Sequence, residues 1–251
     1  MKNKPARYVF LFFILLCSHF ALYGQGYDID YMQAGPGLYI YTSYYDMGEY
    51  KKVGANGLVI AGNEEVIIVD APWDSAQTAQ LMEWVADSLR KPVAAFIITH
   101  AHDDRIGGIA QVHARGIATI GTSLTADEAS TNGFEAPRFT FSADTLIEVA
   151  GAQAEVYYPG PGHTIDNCVV YVPASRLLYG GCFLKSAGSK NLGNIADVKL
   201  GSWPKSLLNL QERFSDAEFI IPGHGFWLPG AVENTHRLLK EHQADTIPEG
   251  N

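Results

Sequence analysis

Apolar residues along this chain fall into two rhythms. Short apolar runs recur at 66–69, 93–98, 169–172 and, less cleanly, 217–221. Their length and β-branched content predict buried strands. Further strands are predicted at 38–43, 58–62, 146–149, 154–158 and 177–179. The second rhythm is helical. Leu81, Met82, Val85 and Leu89 share one helix face, which predicts a helix from a cap at Asp74 or Ser75 to about Arg90, stopped by Pro92. Gly107-Gly108 opens another helix to about Arg115, with His113 expected on its surface. A short helix and a loop are expected across 122–138. Ser202 caps a helix that sets Leu207, Leu210 and Phe214 on one side, and a last helix spans 231–243, with His236 and His242 exposed. Residues 27–34 read as a ragged segment. Residues 44–54 read as an ordinary surface hairpin rather than a mobile flap, and Asn56-Gly57 breaks it from a second hairpin over 58–70. Strand, helix and strand between 66 and 98 suggest a βαβ-type unit with helices over a sheet, an α/β class.

The opening segment stands apart. Lys2, Lys4 and Arg7 precede an apolar run from Tyr8 to Leu16, followed by Leu22-Tyr23-Gly24-Gln25. This is the pattern of a secretory signal peptide covering residues 1–24, with cleavage expected after Gly24. The run is interrupted by Ser18 and His19 and falls short of the ~20 apolar residues of a membrane span. Lipid attachment at Cys17 is disfavoured by the bulky Leu16 before it. An exported, periplasmic protein is expected, with residues 25–251 as one domain, since no repeat or linker is visible. Length and a 47% hydrophobic content suffice for a large core. The segment carries away three basic and no acidic residues, leaving 15 against 27 and a net charge of −12. Such a field argues against nucleic-acid or anionic-membrane partners. An anionic substrate would need a specific cation in its site.

The candidate chemistry lies where apolar runs end. After 93–98 comes His100-Ala-His102-Asp-Asp104, with two imidazoles on one side of an extended segment. His163 follows Pro-Gly-Pro-Gly, Cys182 follows Tyr-Gly-Gly, and His224 follows Ile-Ile-Pro-Gly. Imidazole, carboxylate and thiolate are the ligands zinc takes. Six of them make two three-ligand sites with room for solvent, the form of catalytic zinc; structural zinc is closed by four protein ligands. Cys168, inside an apolar run, reads as a core residue, and a disulfide with Cys182 is disfavoured.

In that order and over nearly all of residues 25–251, these positions resemble the metallo-β-lactamases, in particular the dizinc subclass B-one. His100 and Arg105 separate the chain from the other subclasses and from glyoxalase-type hydrolases. Cys182, Lys185 three residues later, and the stretch ending at Asn194 agree with the resemblance. It implies a four-layer αββα sandwich with the site at one edge, and two Zn2+ ions per chain. One ion would be held by His100, His102 and His163, the other by Asp104, Cys182 and His224. It also implies hydrolysis of the β-lactam amide of penicillins, cephalosporins and carbapenems by a metal-bound hydroxide, hence antibiotic resistance, with a small-molecule substrate and a monomeric chain. On this resemblance Asp104, Lys185 and Asn194 are catalytic: Asp104 ligates and hydrogen-bonds the nucleophile, Lys185 binds the substrate carboxylate, and Asn194 donates to the carbonyl oxygen. Asp70 would orient a ligand segment; Arg105 would support the ligands or pack structurally. Another zinc hydrolase of the superfamily, acting on thioesters or lactones, and a non-catalytic exported zinc-binding protein are the alternatives.

Overall fold

The computed structural model describes residues 28–48 and 52–246, with side chains to 243. The expected signal peptide lies outside the described residues, as does the tip of the hairpin expected over 44–54.

Two sheets lie face to face. The first has seven strands in sequence order: β1 (Asp30–Gly35), β2 (Leu38–Asp46), β3 (Lys52–Ala61), β4 (Val66–Val69), β5 (Val93–Ile97), β6 (Ala118–Thr122) and β7 (Phe139–Phe141). The run β1 to β4 is antiparallel, and β4 to β7 is parallel. The second sheet has the order β12-β11-β10-β9-β8, built from β8 (Asp144–Val149), β9 (Ala152–Tyr157), β10 (Val169–Val172), β11 (Leu177–Gly181) and β12 (Phe219–Pro222). Only β11 and β12 run parallel there.

Strand alternation divides the apolar side chains into three packed layers. On β4, Ile67 and Val69 enter the layer between the sheets, with Leu58, Ile97, Val156, Val170 and Ile221. Val66 and Ile68 face the other way, onto α1 (Ser75–Trp84) and α3 (Ile109–Ala114), beside Leu81, Phe96 and Val112. Beyond the second sheet, Val169, Tyr171 and Leu178 pack on α5 (Trp203–Arg213) and α6 (Ala231–Thr246) through Leu207, Leu210, Leu238 and Leu239. Helix, sheet, sheet, helix is the αββα arrangement. Unbroken apolar runs such as 66–69 are required because such strands are covered on both faces.

Several local expectations need correction. Residues 27–34 contain a strand, since Asp30 to Gly35 pair with β2 and Tyr31 stacks on Trp84 at 4.2 Å. Asn56-Gly57 does not break the chain: it lies inside β3, where Gly57 lets the Tyr41 ring cross the strand and Asn56 bonds Pro222 and Gly225 carbonyls. The helix begun by Asp74 gives way to a π-helical turn over Val85–Leu89, ended by Arg90 at φ 55°. Strands β6 and β7 were not anticipated. His113 is buried rather than on the surface: Glu135 lies 2.5 Å from Nδ1 and Thr119 lies 2.7 Å from Nε2. His236 and His242 are half-buried, the former bonded to Gln211 of α5.

Candidate dinuclear metal centre

The proposed ligands leave the C-terminal ends of strands at one edge of the sandwich. His100 and His102 follow β5, with Asp104 in the single turn α2 (Asp103–Ile106); His163 follows β9, Cys182 follows β11 and His224 follows β12. The β5 end is fixed by Asp70, which follows β4 and adopts φ 66°, in the left-handed region that Asp tolerates better than most residues. Its carboxylate accepts from the Thr99 amide at 2.8 Å, the Thr99 hydroxyl at 3.0 Å and the Tyr179 hydroxyl at 2.7 Å. Burial pushes the Asp70 carboxyl up to about 6 against the opposing pull of Arg105 and these hydrogen bonds. Asp70 thereby holds Thr99, the residue immediately before His100.

His100, His102 and His163 form a cup. Their ring centres are 4.8, 5.1 and 5.2 Å apart and their planes are nearly perpendicular to one another. Burial holds His100 and His163 well below the usual histidine range, so both are neutral and keep a lone pair. His100 Nε2 is buried with no hydrogen-bond partner among the described residues, an arrangement that costs stability unless something else satisfies it. His102 Nε2 lies 2.9 Å from the Asp197 carboxylate, which leaves the other ring nitrogen for a metal.

Asp104, Cys182 and His224 converge alongside. Asp104 Oδ2 is 3.4 Å from Cys182 Sγ and 3.1 Å from His224 Nε2, and the sulfur is 3.3 Å from that nitrogen. Tetrahedral zinc with its usual bond lengths sets neighbouring ligand atoms roughly 3.3–3.7 Å apart, so the triangle fits such an ion. His224 Nδ1 donates to the Gly54 carbonyl at 2.7 Å, which turns Nε2 inward towards Asp104 and Cys182. Burial opposes protonation of His224, but the Cys182 sulfur and Asp104 carboxylate outweigh it and raise the imidazole to about 10. A metal bound there would take the place of the proton that His224 Nε2 otherwise shares with Asp104 and Cys182. The two clusters adjoin, because the ligand atoms of His100, Asp104 and Cys182 lie within 4.8 Å of one another.

Arg105 resolves into a supporting role. It is wholly buried, and Nη2 donates to Asp104 Oδ2 at 2.8 Å, Cys182 Sγ at 3.1 Å and the Gly223 carbonyl at 2.7 Å. Nη1 donates to the Asn56 carbonyl and to Tyr179 Oη, at 2.5 and 2.8 Å. Despite burial, Arg105 holds the Asp104 carboxyl well below the usual carboxylate range. Gly223 is required by close approach: a Cβ there would lie 2.6 Å from the Cys182 nitrogen and 2.7 Å from Arg105 Nη2.

Lys185 is buried at the side of the cup, its ammonium 5.5 Å from the centre of the Trp203 ring. Asn194 is exposed, in a loop whose Gly193 passes the Lys185 ammonium so closely that a Cβ would come within 4.0 Å of it. Asn194 Oδ1 accepts from the Ala196 amide at 3.0 Å, an Asx turn that leaves Nδ2 without a hydrogen-bond partner among the described residues. Cys168 and Cys182 are both free thiols, and Cys168 sits in the layer between the sheets. Sequence reasoning missed Asp197, Tyr179 and Trp203. Asp197 left a weak signal, a carboxylate three residues after Asn194; Tyr179 ends a predicted strand and Trp203 follows the predicted cap at Ser202, with no signal of their own.

Comparison with known proteins agrees with this geometry. The profile of the metallo-beta-lactamase superfamily matches residues 51–224. A metallo-beta-lactamase type 2 from Bacillus cereus is 38% identical over 209 residues, 83% of this chain and 81% of its own length. One from Bacillus sp. (strain 170) is 40% identical over 198 residues, 78% and 76% of the two. The solved metallo-beta-lactamase from Pontibacter korlensis superposes with TM-score 0.82 at 36% identity, covering 85% of this chain and 99% of that one. With its sandwich and its clustered ligands, this chain belongs to the metallo-β-lactamase superfamily.

Proposed function

We infer that the chain is a zinc-dependent β-lactamase that opens the amide of penicillins, cephalosporins and carbapenems, and so protects its host from these antibiotics. The observation that carries the reading is the Asp104–Cys182–His224 triangle set against the three-histidine cup, with one buried lysine beside them. Two ions per chain follow from two adjoining three-ligand clusters, as in the dizinc subclass B-one. Bound zinc supplies a Lewis acid for the amide carbonyl and lowers the pKa of a water from about 15.7 to about 7.

The chain's own residues do the rest. The Lys185 ammonium, set in a chain of net negative charge, takes the substrate carboxylate and so orients the lactam over the cup. Asn194 Nδ2, free of the turn that holds Oδ1, donates to the lactam carbonyl as negative charge develops there. Arg105 engages Asp104 through Oδ2, and Oδ1 is left to accept a hydrogen bond from the attacking water. No serine nucleophile is needed, because the attacking group is water rather than a side chain. Residues 1–24 would direct export, and the mature chain would act in the periplasm as a monomer. The −12 charge is consistent with a free periplasmic protein rather than one held on anionic lipid.

Purified protein is expected to hydrolyse a chromogenic cephalosporin and a carbapenem, to lose activity with a chelator and to regain it with zinc. Turnover of thioesters or lactones without lactams would replace this reading by another hydrolase of the superfamily. Tight zinc binding without any turnover would make it a zinc-binding protein.

A further inference from the structure

Lys185 raises a physical problem that its neighbours solve. A buried ammonium ordinarily has a carboxylate partner, yet Lys185 has no salt bridge and its ammonium no hydrogen-bond acceptor among the described residues. The ammonium feels the charges of Cys182 and Asp104 and lies over the ring of Trp203, 5.5 Å from Nζ to the ring centre, within the range in which a cation is drawn to an indole face. Trp203 is fully buried and opens α5, its amide bonded to the Lys199 carbonyl at 2.9 Å. The Lys199 amide in turn bonds the Gly162 carbonyl at 2.8 Å, next to His163. The same indole lies 6.1 Å from the His163 ring and 5.9 Å from Phe183. The ring is pinned on several sides. A Cβ on Gly162 would sit 3.0 Å from it and 2.5 Å from Phe183.

We propose that Trp203 is a positioning residue that holds the Lys185 ammonium through its π face, leaving the three N–H donors free for the substrate carboxylate. A carboxylate in its place would compete with the substrate for the same protons; a ring face attracts the charge without accepting a conventional hydrogen bond. The inference rests on the reading of Lys185 as the carboxylate anchor.

The test uses zinc-loaded full-length protein carrying carbon-13 at the lysine ε-carbons. The Lys185 ε-methylene proton signal, identified by its loss in Lys185→Arg, is expected upfield of the other lysines, because an indole shields groups over its face. It should return to the common position in Trp203→Leu and fall between in Trp203→Phe. Steady-state kinetics should then compare a cephalosporin with its carboxylate methyl ester. Trp203→Leu should raise KM for the free acid by roughly 5- to 30-fold, the span expected of a desolvated cation–π contact. KM for the ester should not move, kcat should stay within about threefold, and Trp203→Phe should recover part of the loss. An unshifted Lys185 signal in the unaltered protein, or an equal KM rise for acid and ester, would overturn the proposal; the first readout stands even where Trp203→Leu does not fold. If Lys185→Ala raises KM for the acid and Trp203→Leu does not, the lysine keeps its role and the tryptophan loses its own. If neither raises it, the assignment of Lys185 to the carboxylate fails, and this proposal with it.

Discussion

The two halves of the metal centre are built on opposite plans. In the three-histidine cup two rings, His100 and His163, are buried and held neutral by that burial, and Nε2 of His100 has no protein partner among the described residues. It is shaped by the Thr99–Asp70 anchor and by packing. The Asp104–Cys182–His224 corner is charged, and its atoms are drawn together by one guanidinium that touches all three ligands. Arg105 sits beneath that corner and partly offsets its negative charge. The corner therefore depends on a buried ion network, whereas the cup depends on backbone placement. Losses at one should leave the other standing.

Cys182→Ser tests this most directly. Zinc content, measured by atomic emission after dialysis, should fall from two per chain towards one, with activity down by about a hundredfold or more. Two equivalents retained would remove Cys182 from the ligand set. Arg105→Ala should cost about 3–5 kcal/mol in denaturant unfolding, because it leaves buried Asp104 and Cys182 uncompensated. It should also release corner zinc before cup zinc on titration with a chelator; uniform loss from both would mean that corner and cup are not held independently.

Asp197→Asn probes the cup from outside. Removing the carboxylate that holds His102 Nε2 should weaken one zinc by about 10- to 100-fold while the other keeps its affinity, and competition with a chromogenic chelator reads both. Asn194→Ala should have the smallest effect, about three- to tenfold in kcat with zinc content intact. A larger change, or a loss of metal, would mean that the Asx turn with Ala196 matters more than the free amide nitrogen.

Much of the site was legible because its ligands have few other uses at strand ends. A metal-ligating side chain at the end of an apolar run is an unusual combination: His163, Cys182 and His224 follow such a run through a glycine-containing turn, and His100, His102 and Asp104 follow the 93–98 run directly. The fold was legible wherever both faces of a strand are covered, as at 66–69, 93–97 and 169–172. Legibility failed where a residue's job depends on what lies opposite. Strand β7 has only Phe139 to Phe141, two of them exposed, and is a strand because β6 pairs with it. His113 looked like a surface residue because helix spacing says nothing about Thr119 and Glu135.

The sequence by itself determined most of the strands and helices, β1, β6 and β7 apart, with the six candidate ligands and Lys185, because periodicity and side-chain chemistry are local properties. Only the tertiary structure decided that Arg105 braces the charged corner, that Asp197 holds His102, and that Trp203 lies under Lys185. Each of those roles is a distance between residues far apart in the chain. Such distances are set by how the two sheets and their helices pack, which no single stretch of sequence encodes.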